Sequence, residues 1–511
     1  MTTAVRWWTT NVTITNAVSG LLLLVVGLGL GAVLANGSGR VQTAVVALAV
    51  GLPLVVVGLF RPWVGIGLCF GLAPFLLYIK RFSWNTEVGL LIEALLALAL
   101  AAMLLQVSFE RRWRAWASAL TIPVLLYCFY QLLQVFNPNT PSLFHRVFGL
   151  RALLVYLVPF LAALLLIKRR RDLVRCLVVW VSCSVVAALY GLWQYFVGLN
   201  TYERWWIYAN AATHILPGGR LRIFSTLGSA DAFGMYMAIG IILTFALVVM
   251  TRSPLRRLGL LLTMPVMALG LLYSLTRGAY GGFAAALVVV ALLTRSKFYG
   301  MVLVLVMAGS LVYGLNNPED YLVSRVISTF NPTEDASYTA RADALEDALP
   351  IIARLPFGLG PATAGRKGGE LLSRADVNAE SAEFVGIPLD NYYFRIGLEN
   401  GWIGLLLFVA LLVMVLAMGS RIAWRLRDHR LRWLAATIIA CITAMILGAF
   451  SNNYFGYLPL NIWFWFSLGV LMRLPALDRL PDDAWWGAPR RGARAPAAGA
   501  LPAAGAAEVT L

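Results

Sequence analysis

Arginines and an aspartate stand where apolar runs of this chain begin. Arg151 opens "RALLVYLVPF", Arg220 and Arg222 lie in "GGRLRIFSTLGSADAFGMYM", and Arg277 occupies "SLTRGAYGGF", a turn of a few residues between two apolar runs. Asp390 and Asn391 precede "YYFRIGLENGWIGLLLFVALLVMVLAM", whose first residue is Tyr392. Arginine stays cationic in any protein setting, and its planar fork of donors matches phosphate oxygens. A carboxylate within reach of a hydroxyl can orient it or take its proton. Together these are the parts that group transfer from a phosphorylated donor requires: fixed cations for the leaving anion and an acceptor for the attacking hydroxyl. Plainer readings stand beside these. Arg151 reads equally as an arginine snorkelling at a helix end, Arg222 as half of a loop ion pair, and Asp390 as an N-cap of the run that follows. Arg277 fits a solvated surface position least well, because its turn is so short.

The elements that must position them are membrane helices. The 511 residues are 60% hydrophobic and 13% charged, where a soluble domain of this size carries roughly a quarter charged residues. Apolar runs of about 20 residues recur along most of the length, about twelve to fourteen in all. The fold class is therefore all-α, a polytopic helical membrane protein. The expected spans are 17–35, 41–60, 62–79, 87–108, 115–136, 150–167, 173–197, 229–250, 255–275, 278–294, 299–316, 392–418, 433–451 and 459–472. No cleavable signal peptide is evident before the first.

A net charge of +17 would suggest nucleic acid in a soluble protein. Here the Arg and Lys residues collect in short loops, "ERRWR", "KRRRD", "RSPLRR", "RSK" and "RIAWRLRDHRLR", and in the tail. The positive-inside rule puts these loops and both termini in the cytoplasm, so no nucleic-acid partner is expected. Lys80 and Arg81 fall on the other side and oppose that topology. The loops with Arg220, Arg222, Arg277 and Asp390 then face outward from a cytoplasmic membrane.

Residues 1–473 read as one membrane domain, interrupted outside by a loop at 317–391 and followed by a tail at 474–511 whose Ala, Pro, Gly and Arg cannot bury a core. The loop is too long for a mere connector. Its Leu345, Ala348, Leu349 and Ile352 make an apolar helical stripe, Pro350 disturbs that helix, and "LPFGLG" ends it in a turn. Such a segment suits a mobile cover or an interfacial helix.

Other polar residues say less. Glu93 either pairs, contacts substrate or snorkels, and Gln131, Gln134 and Gln194 suit interhelical hydrogen bonds. His145 and His214 read as loop histidines, although either could supply a base; His429 lies among cytoplasmic arginines. Trp205, Trp206 and Tyr208 look like an interfacial belt, with sugar stacking the alternative. The five cysteines, Cys69, Cys128, Cys176, Cys183 and Cys441, lie in apolar runs without metal-ligand spacing and read as small buried hydrophobes.

The blocks "RLRIFSTLGSADAFGMYM", "SLTRGAYGGF", "RADALEDALPIIARLPFGLGPAT" and "LDNYYFRIGLENGWIGLLLF" resemble, in order, those of the O-antigen ligase and polymerase family, over about residues 220–408. The resemblance implies a polytopic glycosyltransferase of the GT-C type that uses no metal, cofactor or nucleotide sugar. It implies transfer of a glycan from undecaprenyl diphosphate, outside the bacterial inner membrane, to an acceptor glycan, lipid A core or protein. Membrane lipid and other polysaccharide-assembly proteins are the further partners it suggests. Arg222 and Arg277 match the arginines that hold the carrier diphosphate, with Arg151 or Arg220 assisting. Asp390 matches a position that is His, in an "HN" pair, in ligases; the "DN" here is more similar to polymerase-like members. Asn391 would orient and Tyr392 would line the substrate site. A free aspartate, with a pKa of ~3.9 against ~6.5 for histidine, is the weaker base, so Asp390 is expected to align the hydroxyl and take its proton late. A transporter is the rival from another class, but charges gather at the outer lip and in the large loop, not at mid-membrane.

Overall fold

The computed structural model describes residues 61–82, 89–210, 221–295, 336–373 and 385–480, with single positions at 301, 309 and 316. In chain order the helices are α1 Pro62–Leu72, α2 Leu76–Phe82, α3 Gly89–Glu110, α4 Thr121–Leu133, α5 Leu143–Leu166, α6 Arg170–Phe196, α7 Thr201–Asn210 and α8 Ala230–Met250. They continue with α9 Pro254–Tyr273, α10 Arg277–Thr294, α11 Ala336–Arg354, α12 Gly365–Leu372, α13 Tyr392–Arg425, α14 His429–Gly448 and α15 Leu460–Asp478. The described residues form no strand, and the protein is an all-α polytopic membrane protein.

Nine of these helices, α3, α5, α6, α8, α9, α10, α13, α14 and α15, are long and apolar enough to cross a membrane. The expected spans 17–35, 41–60 and 299–316 lie outside the described residues, as does the tail beyond Leu480. Two others are shorter than expected. The 62–79 run is split into α1 and α2 at Pro74, which brings no amide donor and crowds the preceding turn. The 115–136 run begins as a 3-10 turn at Trp113–Trp116, and its helix starts only at Thr121. The last helix runs past the expected boundary at residue 473, through Pro475, to Asp478.

Helices α8, α14 and α15 lie innermost, with 83%, 78% and 78% of their apolar cores buried by protein. Being hydrophobic all round, they suit that place. Small residues bring backbones together where lipid gives no net drive between helices. A side chain on Gly282 of α10 would meet the Ala444 carbonyl of α14 at 2.9 Å, and one on Gly469 of α15 would meet the Phe160 carbonyl of α5 at 2.5 Å.

The ends of the described helices sort to two ends of the bundle. One end is rich in arginine and is tied by a buried network. Arg170 pairs with Asp428 at 2.5 Å and donates to the Leu477 and Leu480 carbonyls, and the amides of Arg427 and Asp428 donate to Asp478. The other end gathers the segments around Asn137, Arg222, Thr276, Gly358, Asp390 and Tyr454. Cys69, Cys128 and Cys441 are buried, and none of the five cysteines is in a disulfide.

Candidate active site

Four segments build the rim at this second end. The first is the loop into α8. Ser229 caps α8 by accepting from the Ala232 amide at 3.1 Å, which sets Asp231 in the positive first turn. Arg222 reaches back across the loop: its Nη2 lies 2.6 Å from Asp231 Oδ1 and 3.0 Å from Thr276 Oγ1, and its Nε 3.4 Å from the Ser274 carbonyl. Burial works against the Arg222 cation, but Asp231 outweighs it and raises its pKa. The loop ion pair anticipated for Arg222 is therefore present, and its partner is Asp231.

The second segment is the turn between α9 and α10. Leu275 sits in the left-handed region at φ 51, and the turn closes onto Arg277, the first residue of α10. Next to it, Gly278 faces the third segment: a side chain there would collide with Ser451 and stand 3.1 Å from the Tyr454 hydroxyl and 3.2 Å from Asn452. Arg277 thus lies beside the Thr276 that Arg222 touches and beside the 451–454 turn.

That third segment, "SNNYFGY" between α14 and α15, is the hub. Tyr454 is fully buried and accepts from Asn452 Nδ2 at 3.2 Å. Burial, and then the charge of Asp231, push the Tyr454 phenol up. Burial likewise raises Tyr457, followed by Asp231 and Asp390, while Arg395 opposes them and Ser229 shares a hydrogen bond with the phenol. Both phenols therefore remain neutral hydroxyls at physiological pH, able to donate. Tyr457 senses Asp231 on one side and Asp390 and Arg395 on the other, which places it between the halves of the site.

The fourth segment leads into α13. Asn391 is the N-cap, its side chain accepting from the Tyr393 amide at 2.9 Å and the Phe394 amide at 3.4 Å. The capping role considered for Asp390 thus belongs to Asn391, and the Asp390 side chain is exposed. The Asn391 side-chain oxygen is therefore engaged at the helix end. The Tyr392 amide donates to the Ala449 carbonyl at 2.9 Å, binding this segment to the hub.

Tyr392 does not line the rim. Its ring is buried against Phe408 and Phe455, because the first turn of α13 faces the bundle at that position. Arg151 is engaged elsewhere, in a two-pronged pair with Glu93 of α3 (Nη2 to Oε1 2.8 Å) and 4.4 Å from the Phe148 ring. Glu93 is accordingly a pairing partner. Arg220 and His214 lie outside the described residues.

The described part of the 317–391 loop is fastened to the bundle where it meets α13. Gly401 breaks α13 with φ 67 and ψ 179, and a side chain there would overlap the Pro356 carbonyl. The break releases carbonyls that the "FGLG" turn takes up: the Leu359 amide donates to Leu398 and the Gly360 amide to Glu399, both at 2.8 Å. Asn137 donates to the Phe357 and Gly358 carbonyls at 3.0 and 3.2 Å, Asn139 to Gly358 at 3.1 Å, and Tyr130 to the Asn400 carbonyl at 2.6 Å. Gln134 joins the Tyr130 hydroxyl at 2.8 Å. Glu399 pairs with Arg395 at 3.2 Å and accepts from the Ala364 amide at 3.3 Å. His145 is buried between Ser142 Oγ (2.7 Å) and the Gly368 carbonyl (3.2 Å), so it is a fastening for the cover and no free base.

Helix α11 covers this junction with part of the expected stripe. Ala348 and Ile352 pack inward as expected, joined by Ala344 and Ile351 against Leu359, Leu389 and Leu398, while Leu349 is exposed. The helix also runs through Pro350 to Arg354.

Residues 262–409 match the family model described as O-antigen ligase. The match covers 148 of the 511 residues, and over that stretch the chain is similar to the O-antigen ligase family. The match takes in Arg277 and Asp390 and leaves out Arg222, whose loop precedes it. No curated protein matches the chain in a sequence comparison. That similarity supports a glycosyltransferase-type enzyme of polysaccharide biosynthesis. Asp231, Tyr454, Tyr457, Arg395 and Glu399 are additions to the residues that sequence patterns singled out. Their signals were the run of polar residues between two apolar spans and the charges one and two turns into α13.

Proposed function

We propose that this enzyme is a surface-polysaccharide polymerase that transfers a glycan from an undecaprenyl-diphosphate carrier to a sugar hydroxyl, on the outer side of the cytoplasmic membrane. The observation that supports this reading is that the segments carrying Arg222, Arg277 and Asp390 come together around one turn, 451–457, at one end of the bundle. Arg222 and Arg277 stabilise the diphosphate as it leaves; fixed cations need no reorganisation at that moment. Asp390 orients the acceptor hydroxyl and receives its proton as the new glycosidic bond forms and the bond from the anomeric carbon to phosphate breaks. The Tyr457 hydroxyl, between the two halves, donates to the sugar or the diphosphate. The arginine-rich opposite end supports the orientation, since that end belongs in the cytoplasm.

Attachment of a finished glycan to lipid A core is the second reading, favoured by the description of the matched domain as a ligase. Incubating the purified protein with a diphosphate-linked oligosaccharide separates them. Longer chains from that donor alone support a polymerase. Transfer only after a lipid A core acceptor is added supports a ligase, and no transfer to either overturns the reading.

A further inference from the structure

Helix α2 ends in a buried arginine on the side of the protein where the charge pattern has no use for one. The Arg81 side chain is 1% exposed, and so is that of its partner Glu203 on α7, with Nη1 and Oε1 3.2 Å apart. Arg81 also donates to two main-chain carbonyls, Ser225 through Nη1 at 2.8 Å and Leu227 through Nη2. Its guanidinium lies 4.6 Å from the Phe224 ring centre and 5.0 Å from that of Trp206. Glu203 in turn accepts from Tyr190 at 3.0 Å and from Gln194 at 2.6 Å.

Ser225 is held from further sides. Its amide donates to Gln194 at 2.7 Å and its hydroxyl to the Ala187 carbonyl at 2.5 Å. Its backbone holds φ 52, a conformation a non-glycine residue keeps only when its surroundings enforce it. A buried ion pair is poor value as plain stabilisation, because packed apolar side chains of similar volume often do as well or better. What apolar side chains could not do is grip two carbonyls of one loop. That loop is bounded by Arg222 and Asp231, which close it at 2.6 Å.

The loop's charged fastenings are two, the Arg222–Asp231 pair at its mouth and the Arg81–Glu203 grip at its middle, the latter beside the neutral Ser225 bonds to Gln194 and Ala187. On the reading of function above, Arg222 must leave Asp231 for a diphosphate oxygen whenever substrate binds. A loop held only at the mouth would then lose its shape at the moment it is needed. We propose that Arg81 and Glu203 are positioning residues that hold the 221–231 loop so that Arg222 can exchange Asp231 for the anionic group of a lipid diphosphate.

The test is a double-mutant cycle on the full-length protein in detergent, with a short-chain prenyl diphosphate as probe. Glu203→Gln is expected to weaken binding ~10-fold and Arg222→Gln ~100-fold, with the double variant no weaker than Arg222→Gln alone, since residues acting through one group are not additive. Arg81→Lys, which keeps the charge but cannot span both carbonyls, runs the same cycle should Glu203→Gln not fold. Multiplied losses would overturn the proposal, because the pair would then act independently of Arg222. Amide hydrogen exchange supplies a readout that needs no ligand. It should quicken across 221–231 in the Glu203 variant and stay unchanged at 385–391; unchanged exchange in the loop overturns the grip. If the wild type binds no prenyl diphosphate, the reading of function falls and the ligand half of this proposal with it, while the exchange result still decides whether the grip exists.

Discussion

The segment carrying Arg222 and the segment ending at Asp390 meet at one rim, yet they are fixed by different chemistry. Beneath Arg222, a buried ion pair grips carbonyls of the loop, and Asp231 answers the cation directly. On the Asp390 side, position is set mainly by main chain: the Tyr392 amide on the Ala449 carbonyl and the Asn391 cap. About two to three turns along α13, the break at Gly401 releases carbonyls that the "FGLG" amides take up, with neutral side chains such as Asn137 and Tyr130. A cation that trades its partner for a ligand needs a scaffold that tolerates the trade. A carboxylate that must meet a hydroxyl at hydrogen-bond range needs accurate placement, which a network of short main-chain bonds supplies. The two halves should therefore fail differently when damaged, the first in holding substrate and the second in turning it over.

The largest effect is expected at Asp390. Asp390→Asn removes the proposed acceptor of the proton and should slow chain growth ~1000-fold, within the range of general-base losses, with donor binding intact. Comparing product ladders with donor affinity checks this. A variant that lost affinity and turnover equally would erase the distinction between the halves. At Arg277, Glu should abolish binding, whereas Lys, a point charge without the fork, should keep part of it. Loss of one such donor to the transition state costs about 100- to 1000-fold in rate.

A third variant, Gly401→Ala, probes the main-chain side alone. A left-handed φ costs a non-glycine residue about 1–3 kcal/mol, and the added carbon meets the Pro356 carbonyl. A lowered thermal midpoint and slower turnover with unchanged affinity for prenyl diphosphate are expected; a fall in affinity alone would contradict the division. Tyr457→Phe deletes one neutral hydroxyl and should cost no more than ~10-fold in turnover, the size of a single hydrogen bond. The smallest change belongs to Arg151→Gln. Arg151 is occupied by Glu93, so transfer should fall less than ~5-fold, a loss comparable with one part-exposed ion pair. A loss as large as that at Arg277 would return Arg151 to the site.

The membrane helices were legible because about 20 apolar residues in a row admit few other structures. Arg277 and Asp390 were legible for a related reason: charge beside hydrocarbon stands out. What was hidden is long-range pairing. Nothing in the sequence ties Arg81 to Glu203, far along the chain, and read as a loop charge Arg81 opposes the topology. Buried, it carries no topological information. Tyr392 was misplaced because proximity to Asp390 in sequence does not fix which face of a helix a ring takes. The α11 stripe was displaced in part by a similar slip, since Leu349 and Ile351 fit neighbouring helical faces and only packing against Leu398 selects between them. Gly401 was invisible as a break, as glycine in an apolar run reads equally well as a packing residue.

One measurement bears most directly on the central claim that a single rim serves the carrier diphosphate and the acceptor hydroxyl. A structure of the enzyme in a lipid nanodisc with a polyprenyl-diphosphate oligosaccharide should place the diphosphate within ~4 Å, ion-pair range, of both Arg222 and Arg277. The first sugar should then face Asp390 and Tyr457. Density for the diphosphate anywhere that leaves either arginine uncontacted, or that turns the sugar away from Asp390, would contradict it.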